Sequence, residues 1–184
     1  MTFPPQPFRQ HDARDDSASG YNVLVNAHVW LVLILFLAIC LGAGGLGSFF
    51  TSNSVRNWYP RLTKPRGTPP SWVFGPVWTT LYILMAISAW LVWRNFGWGA
   101  RPALLIFCAQ LCLNVAWSAI FFGSRLPGAA FAEILVLWLA IAFNIFVFYL
   151  LLPAAAWLLA PYLVWVSYAA YLNGAIWRLN RSRG

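Results

Sequence analysis

Five long apolar runs dominate this sequence and decide what the chain can fold into. Each run is about 20 residues or longer, which is the length at which an α-helix crosses the ~30 Å hydrocarbon layer of a bilayer. Of the 184 residues, 61% are hydrophobic and only 9% are charged, so a water-soluble fold is excluded. The sequence predicts an all-α integral membrane protein with five transmembrane helices. The predicted spans are 25–50, 71–93, 102–122, 127–152 and 154–177.

The polar segments leave room for one membrane domain with two short tails. Residues 1–20 are polar and rich in proline, and they hold three of the four acidic residues, which predicts a disordered tail. Residues 21–180 form the predicted five-helix membrane domain. Residues 181–184 are a basic C-terminal tail.

The formal net charge of +8 does not indicate nucleic-acid binding, because the basic residues after residue 20 lie almost entirely between or just outside the apolar runs. Positive residues concentrate on the cytoplasmic side of membrane proteins. Eight fall on one side of the five predicted spans and four on the other, which predicts an outside N-terminus and a cytoplasmic C-terminus. No segment indicates which membrane hosts the chain. The eight are Arg56, Arg61, Lys64, Arg66, Arg125, Arg178, Arg181 and Arg183, and the four are Arg9, Arg14, Arg94 and Arg101.

Polar side chains line one face of the third predicted span. Gln110, Asn114 and Trp117 follow i, i+4, i+7 spacing, which places two carboxamides and an indole on the same side. Amides in hydrocarbon need hydrogen-bond partners, so this face is expected to turn inward. It either joins helices or borders a polar cavity.

The opposite face of that span carries small residues. Cys108, Cys112 and Ala116 repeat every four residues, a spacing that lets another helix approach closely and predicts a homodimer seam. The glycines between residues 42 and 47 offer a competing surface, or they serve packing inside the chain.

Aromatic residues within the spans and in the first loop suggest a binding pocket. Trp78, Tyr82 and Trp165 lie too deep in their helices for an interfacial belt and could form walls for a flat hydrophobic ligand. The loop of residues 51–70 is long, and its aromatics and prolines predict a lid over one membrane face. The lid residues are Trp58, Lys64, Arg66, Pro69 and Pro70.

Reactive groups are scarce in the sequence. Glu133 is the only acid after residue 20; it is either functional or simply meets Arg125 or interfacial water. The three cysteines show no spacing typical of a metal or redox site, so no metal, no disulfide and no catalytic residue is predicted.

Three segments resemble blocks of the TspO/MBR family, the translocator and tryptophan-rich sensory proteins. They occur in the order of the helices, and the similarity covers roughly residues 29–180. They read WYPRLTKPRGTPPSWVFGPVWTTLY from Trp58 to Tyr82, AQLCLNVAWSAIFFG from Ala109 to Gly123, and PYLVWVSYAAYLNGAIWRLN from Pro161 to Asn180.

The resemblance implies five tilted helices around a pocket closed by the first loop, usually in homodimers. It also implies binding of porphyrins, such as protoporphyrin IX or haem, as ligands and not obligatory cofactors, and of sterols and synthetic drug-like ligands. Two positions match aromatics that some bacterial members use in light-dependent porphyrin breakdown, namely Tyr59 and Trp165. The family places pocket residues at Tyr59, Trp78, Gln110, Asn114 and Trp165, with Trp117 a neighbouring candidate.

The sequence departs from the family pattern at two places. Arg66, Gly67 and Thr68 stand where members commonly have an aromatic or large apolar residue, which predicts a looser or more cationic lid. Gly174 replaces an aromatic of the sterol-recognition pattern in the fifth span, so strong cholesterol binding is not expected.

The leading functional hypothesis is a membrane receptor or sensor that binds porphyrins and related flat hydrophobic ligands, with regulation of tetrapyrrole metabolism or a stress response as the role expected of it. The alternatives are a transporter of porphyrin or another hydrophobic metabolite, and a light-dependent porphyrin-degrading activity. The sequence favours the first, because it shows neither an inverted repeat nor paired broken helices typical of secondary transporters.

Overall fold

The computed structural model describes the backbone of residues 13–181 and the side chains of residues 28–181. The described backbone is helical apart from short turns and contains no β-strand, so the predicted all-α class is confirmed. The α-helices are α1 (Ala13–Asn57), α2 (Phe74–Phe96), α3 (Arg101–Ser118), α4 (Pro127–Leu151) and α5 (Pro153–Asn180).

Four helical segments are long and apolar enough to cross a membrane. They are His28–Asn57, Ser71–Gly123, Pro127–Leu151 and Pro153–Asn180. The second segment contains both α2 and α3, which are separated by a 3₁₀ turn at Gly97–Ala100. These segments make the chain an integral, multi-pass membrane protein.

Proline and glycine set most of the helix ends. Pro102, Pro127 and Pro153 each stand in the first turn of a helix, where the missing N–H costs no hydrogen bond. Gly97 ends α2 with a φ of 50°, a left-handed conformation that glycine adopts without strain. The predicted starts and ends of the fourth and fifth spans therefore agree closely with α4 and α5.

The first helix is longer at both ends than its predicted span of 25–50. It runs on to Asn57, because residues 48–57 contain neither a proline nor a glycine that would end the helix. It begins at Ala13, within the segment predicted as a polar tail. Residues 1–12 of that tail, and residues 182–184 of the predicted basic tail, lie outside the described residues.

The helices bury one face and present large apolar side chains on the other. Aromatic and aliphatic residues such as Met85, Phe107, Phe148 and Tyr162 are fully buried among the helices. An exposed apolar surface of this extent suits lipid as the surrounding solvent. Outward-facing examples are Leu31, Leu105, Leu139, Leu150, Trp157 and Val164.

Two glycines of α1 allow close approach to neighbouring helices. A Cβ built on Gly44 would stand 2.6 Å from Cε2 of Tyr82 on α2. A Cβ on Gly47 would stand 3.3 Å from the Ser118 hydroxyl at the end of α3. These two glycines serve packing inside the chain, which was one of the two interpretations of the 42–47 segment. Gly42 and Gly45 have nothing within 4 Å of such a Cβ.

Candidate functional site

A partly enclosed cavity of about 410 Å³ lies between α1, the first loop, α2 and the C-terminal end of α3. Its volume falls in the range typical of small-molecule sites. Side chains of α4 and α5 do not line it. The residues that line it are Leu41, Gly44, Gly45, Gly47, Ser48, Thr51, Ser52, Val55, Tyr59, Ser71, Phe74, Gly75, Trp78, Thr79, Tyr82, Trp117, Ser118 and Phe122.

Aromatic rings form two sides of this cavity. On α2, Trp78 and Tyr82 have ring centroids 5.7 Å apart with planes at 30° to each other. On the other side, Phe122 meets Trp117 edge-on at 5.9 Å and Tyr59 at the same separation. The cavity is therefore walled by broad apolar faces, which suit a flat hydrophobic molecule.

Small hydroxyl residues supply the polar part of the lining. Ser48, Thr51 and Ser52 of α1 oppose Thr79 of α2. The Thr51 hydroxyl donates to Gly47 and the Thr79 hydroxyl donates to the Gly75 carbonyl at 3.0 Å. Since both protons are used within the helices, these two hydroxyls can offer a ligand only their oxygens, as acceptors.

Tyr82 is held in place by a hydrogen-bonded chain behind the cavity wall. Its hydroxyl donates to Oδ1 of Asn114 at 2.6 Å, and Nδ2 of Asn114 donates to the Tyr162 hydroxyl at 2.9 Å. All three side chains are at most 5% exposed. Asn114 thus joins α2, α3 and α5, and it positions a cavity residue without lining the cavity itself.

Trp117, another residue of the lining, is also held by hydrogen bonds to residues that do not line the cavity. Its Nε1 donates to Oδ1 of Asn173 at 3.1 Å, and Nδ2 of Asn173 donates to the Pro127 carbonyl at 2.7 Å. Sequence reasoning missed Asn173, although an amide in an apolar span was a signal that could have identified it. It also missed Phe74 and Phe122, whose apolar side chains carry no such signal.

Besides Asn114, two further predicted pocket residues do not line the cavity. Gln110 is 1% exposed and neither amide atom has a hydrogen-bond partner within the described residues. Trp165 meets the edge of Phe74 at a centroid distance of 6.0 Å, and Phe74 lines the cavity. Trp165 therefore stands behind the wall. Of the seven predicted ligand-binding residues, the structure brings Tyr59, Trp78, Tyr82 and Trp117 together in the lining.

The first loop is tied to α5 at two points. The Thr63 backbone N–H donates to Oδ1 of Asn180 at 3.0 Å, and Nδ2 of Asn180 donates back to the Thr63 carbonyl at 2.9 Å. The Tyr168 hydroxyl donates to the Gly67 carbonyl at 2.8 Å. Gly67 has a φ of 88°, so glycine suits this position in the loop.

A cation and a buried phenol meet where the loop borders the cavity. Nζ of Lys64 lies 4.7 Å from the centroid of the Tyr59 ring, and the Tyr59 side chain is 5% exposed. Burial, followed by the nearby Tyr168, raises the pKa of the Tyr59 phenol to about 12. Tyr59 therefore stays a neutral hydrogen-bond donor and acceptor at physiological pH.

The other predicted lid residues differ in their surroundings. Trp58 packs edge-on against Phe121 with centroids 5.8 Å apart. Arg66 is exposed. Pro69 and Pro70 lead directly into a 3₁₀ turn at Ser71–Val73 that precedes α2.

The remaining candidates lie outside the cavity. The carboxylate oxygens of Glu133 are buried and have no hydrogen-bond partner within the described residues, so Arg125 does not bond to them there. Cys108 and Cys112 are exposed on the outward side of α3, opposite the buried Asn114 and Gln110. The described part of the chain brings together no cluster of three potential metal-ligating side chains.

The amino-acid sequence is similar to those of known membrane proteins. The profile of the TspO/MBR family matches residues 36–178. The chain is 41% identical to the tryptophan-rich protein TspO of Archaeoglobus fulgidus over 150 residues, which is 82% of this chain and 97% of the relative. It is 41% identical to the translocator protein of Homo sapiens over 73% of this chain and 82% of the relative. It is 37% identical to the tryptophan-rich sensory protein of Cereibacter sphaeroides over 84% and 94%.

Proposed function

This chain belongs to the TspO/MBR family, and on that premise we propose that it is a membrane receptor or sensor for porphyrins and related flat hydrophobic ligands. The relatives carry the names translocator protein and tryptophan-rich sensory protein. For this chain we favour sensing, with a regulatory role in tetrapyrrole metabolism or a stress response.

The observation that carries the proposal is the aromatic cavity. Five aromatic side chains line a volume of about 410 Å³, namely Tyr59, Trp78, Tyr82, Trp117 and Phe122. A macrocycle that slides between these faces removes apolar area from water at about 25 cal/mol per Å². Because Tyr82 and Trp117 are fixed by hydrogen bonds from behind, little side-chain entropy is lost when the ligand enters.

Cations in the loop beside the cavity suit the carboxylates of a porphyrin, although neither of them lines the cavity. Lys64 places its ammonium group beside Tyr59, and Arg66 follows two residues later on the exposed part of the loop. The only acid among residues 28–181 is Glu133, so no carboxylate of this region competes for these cations. A neutral flat ligand would contact the aromatic side chains but would have no favourable electrostatic interaction with these cations.

Membership of the family also bears on how often the chain crosses the membrane and on whether it forms dimers. Ser71–Gly123 has 53 residues and would span about 80 Å as one helix, far more than a bilayer core. We infer that it crosses twice, with the turn at Gly97, so that the chain has five crossings and a cytoplasmic C-terminus. The exposed Cys108 and Cys112 on α3, with the half-buried Ala116, mark the seam we propose for a homodimer.

The experiment is a titration of the detergent-solubilised protein with protoporphyrin IX, followed by the shift of the porphyrin absorption band. Trp78→Ala removes one wall and should weaken binding about tenfold, the loss of one large aromatic contact. Trp157→Ala is the matched control, because Trp157 is 70% exposed on α5 and lies outside the cavity. Equal affinities of the two variants, with both proteins folded by circular dichroism, would contradict the proposal.

A further inference from the structure

A second cleft, separate from the aromatic cavity, lies between the end of α1 and the turn that joins α3 to α4. Its volume is about 420 Å³. It is lined by Phe49, Phe50, Asn53, Ser54, Gly123 and Arg125, together with Ser52 and Phe122, which also border the cavity. The two sites share Ser52 and Phe122, whereas Arg125 lines only the second cleft.

The cleft is held in shape by contacts on both of its sides. The Ser54 hydroxyl donates to the Phe122 carbonyl, which joins α1 to the π-helical turn Ala119–Gly123. A Cβ on Gly123 would stand 3.3 Å from Cδ1 of Phe50, so glycine lets that ring pack closely. The Ser124 N–H donates to the Ala119 carbonyl at 2.8 Å and fixes the turn.

The charge of the cleft is positive and unneutralised within the described residues. Arg125 is its one charged lining residue. Nε of Arg56 donates at 3.2 Å to the carbonyl of Ser52, which lines the cleft, so a second guanidinium lies one turn along α1 from a lining residue, although Arg56 itself does not line the cleft. The only acid among residues 28–181 is Glu133, and its carboxylate bonds to neither arginine. Two cations without an acidic partner complement an anion.

The backbone of Arg125 has a left-handed conformation, which glycine adopts more easily than arginine. Its φ is 56°, and it is the only residue other than glycine with a positive φ in the described chain. Glycine would adopt this conformation without strain. Glycine would suit this backbone conformation better than arginine does. Any advantage of arginine here must therefore come from its side chain.

The cleft also has exposed apolar side chains at its rim. Phe49 is 76% exposed, and Leu126, next to Arg125, is 55% exposed. A soluble phosphate would contact the arginines but would leave this rim unused. We propose that the cleft binds an anionic phospholipid, with Arg125 and Arg56 contacting its phosphate and Phe49 and Leu126 contacting its acyl chains.

Native mass spectrometry tests this with the full-length protein in detergent and equimolar phosphatidylglycerol and phosphatidylcholine. The wild type should retain phosphatidylglycerol in preference to phosphatidylcholine. Arg125→Gln should lower that preference about fivefold, the effect of one basic residue near an anionic headgroup, and the double variant with Arg56→Gln should lower it about 25-fold. Arg101→Gln, the same change at the start of α3, should leave the preference intact.

Two further arms separate binding from folding and lipid from phosphate. Arg125→Gly relieves the backbone strain, so it should melt no lower than the wild type and still lose the preference. Glycerol 3-phosphate at millimolar concentration should not displace the lipid. The proposal is overturned if Arg125→Gln keeps the preference, if Arg101→Gln loses as much of it, or if glycerol 3-phosphate displaces the lipid.

Discussion

At the scale of single residues, the two buried carboxamides of α3 differ in what they bond to. Asn114 connects the hydroxyls of Tyr82 and Tyr162, whereas Gln110 one turn earlier has no hydrogen-bond partner among the described residues. Both are 1% exposed. Asn114 is therefore expected to stabilise the bundle directly.

Replacing these two amides with leucine should give different results. Asn114→Leu leaves two buried hydroxyls without their partner and should lower the free energy of unfolding by about 1–3 kcal/mol. Gln110→Leu breaks no hydrogen bond between described residues and should cost clearly less. Unfolding in detergent monitored by circular dichroism measures both. A Gln110→Leu variant that is less stable than Asn114→Leu would refute this assignment.

The inward face of α3 could be predicted at this scale, but the partners of its residues could not. The i, i+4, i+7 spacing placed Gln110, Asn114 and Trp117 on one side, and all three are buried. The spacing does not say which side chain of another helix lies opposite. For that reason the bonds to Tyr162 and Asn173 were not foreseen, and Trp165 was expected in the cavity although it stands behind Phe74.

At the scale of helices, the contact between α1 and α2 depends on one glycine. Cε2 of Tyr82 would be 2.6 Å from a Cβ at Gly44, and Tyr82 cannot swing away without breaking its bond to Asn114. One turn of α1 therefore fixes how closely the two helices approach.

Alanine substitutions on α1 test this contact with a control on the same helix. Gly44→Ala should destabilise the protein by about 1–3 kcal/mol, because the methyl group forces apart two packed elements. Gly45→Ala meets nothing within 4 Å and should be neutral or up to about 1 kcal/mol stabilising through helix propensity. The melting temperatures of the two variants in detergent measure this difference. Equal melting temperatures would argue against the packing described.

Helix boundaries were predictable where the sequence contains a proline or a glycine in a turn. Pro127 and Pro153 mark the starts of α4 and α5. The end of α1 was not predictable in this way, because residues 51–57 are polar enough for a loop but compatible with a helix. They contain no proline or glycine, so nothing in the segment ends the helix before Asn57.

At the scale of the whole molecule, the first loop and α5 act as one structure over the end of the bundle. Asn180 holds the loop at Thr63 through both polar atoms of its amide, and Tyr168 holds it at Gly67. The aromatics and prolines of this loop predict a lid, and that role stays a prediction. What the structure adds is the loop's attachment to α5. This attachment could not be predicted, because it depends on a contact between residues 117 positions apart in the chain.

Assembly is also tested at this scale. If α3 forms the homodimer seam, mild oxidation in membranes should link two copies through Cys108 or Cys112, which are exposed. The Cys108→Ser/Cys112→Ser variant should stay monomeric on a non-reducing gel. Cys40→Ser serves as the control, because Cys40 is fully buried and should not affect the cross-link. Cross-linking that persists without both α3 cysteines would place the seam elsewhere.

The central claim is that a tetrapyrrole occupies the aromatic cavity, and the most direct test is to fill that cavity from within. Gly45 lines it and has open space around its Cα, whereas Gly42 has equal space but lies outside it. The measurement is the dissociation constant for protoporphyrin IX of Gly45→Phe and Gly42→Phe. Gly45→Phe should bind at least about tenfold more weakly than the wild type, since its ring takes the place of the ligand. Gly42→Phe should bind as the wild type does, and unchanged binding by both variants would contradict the claim.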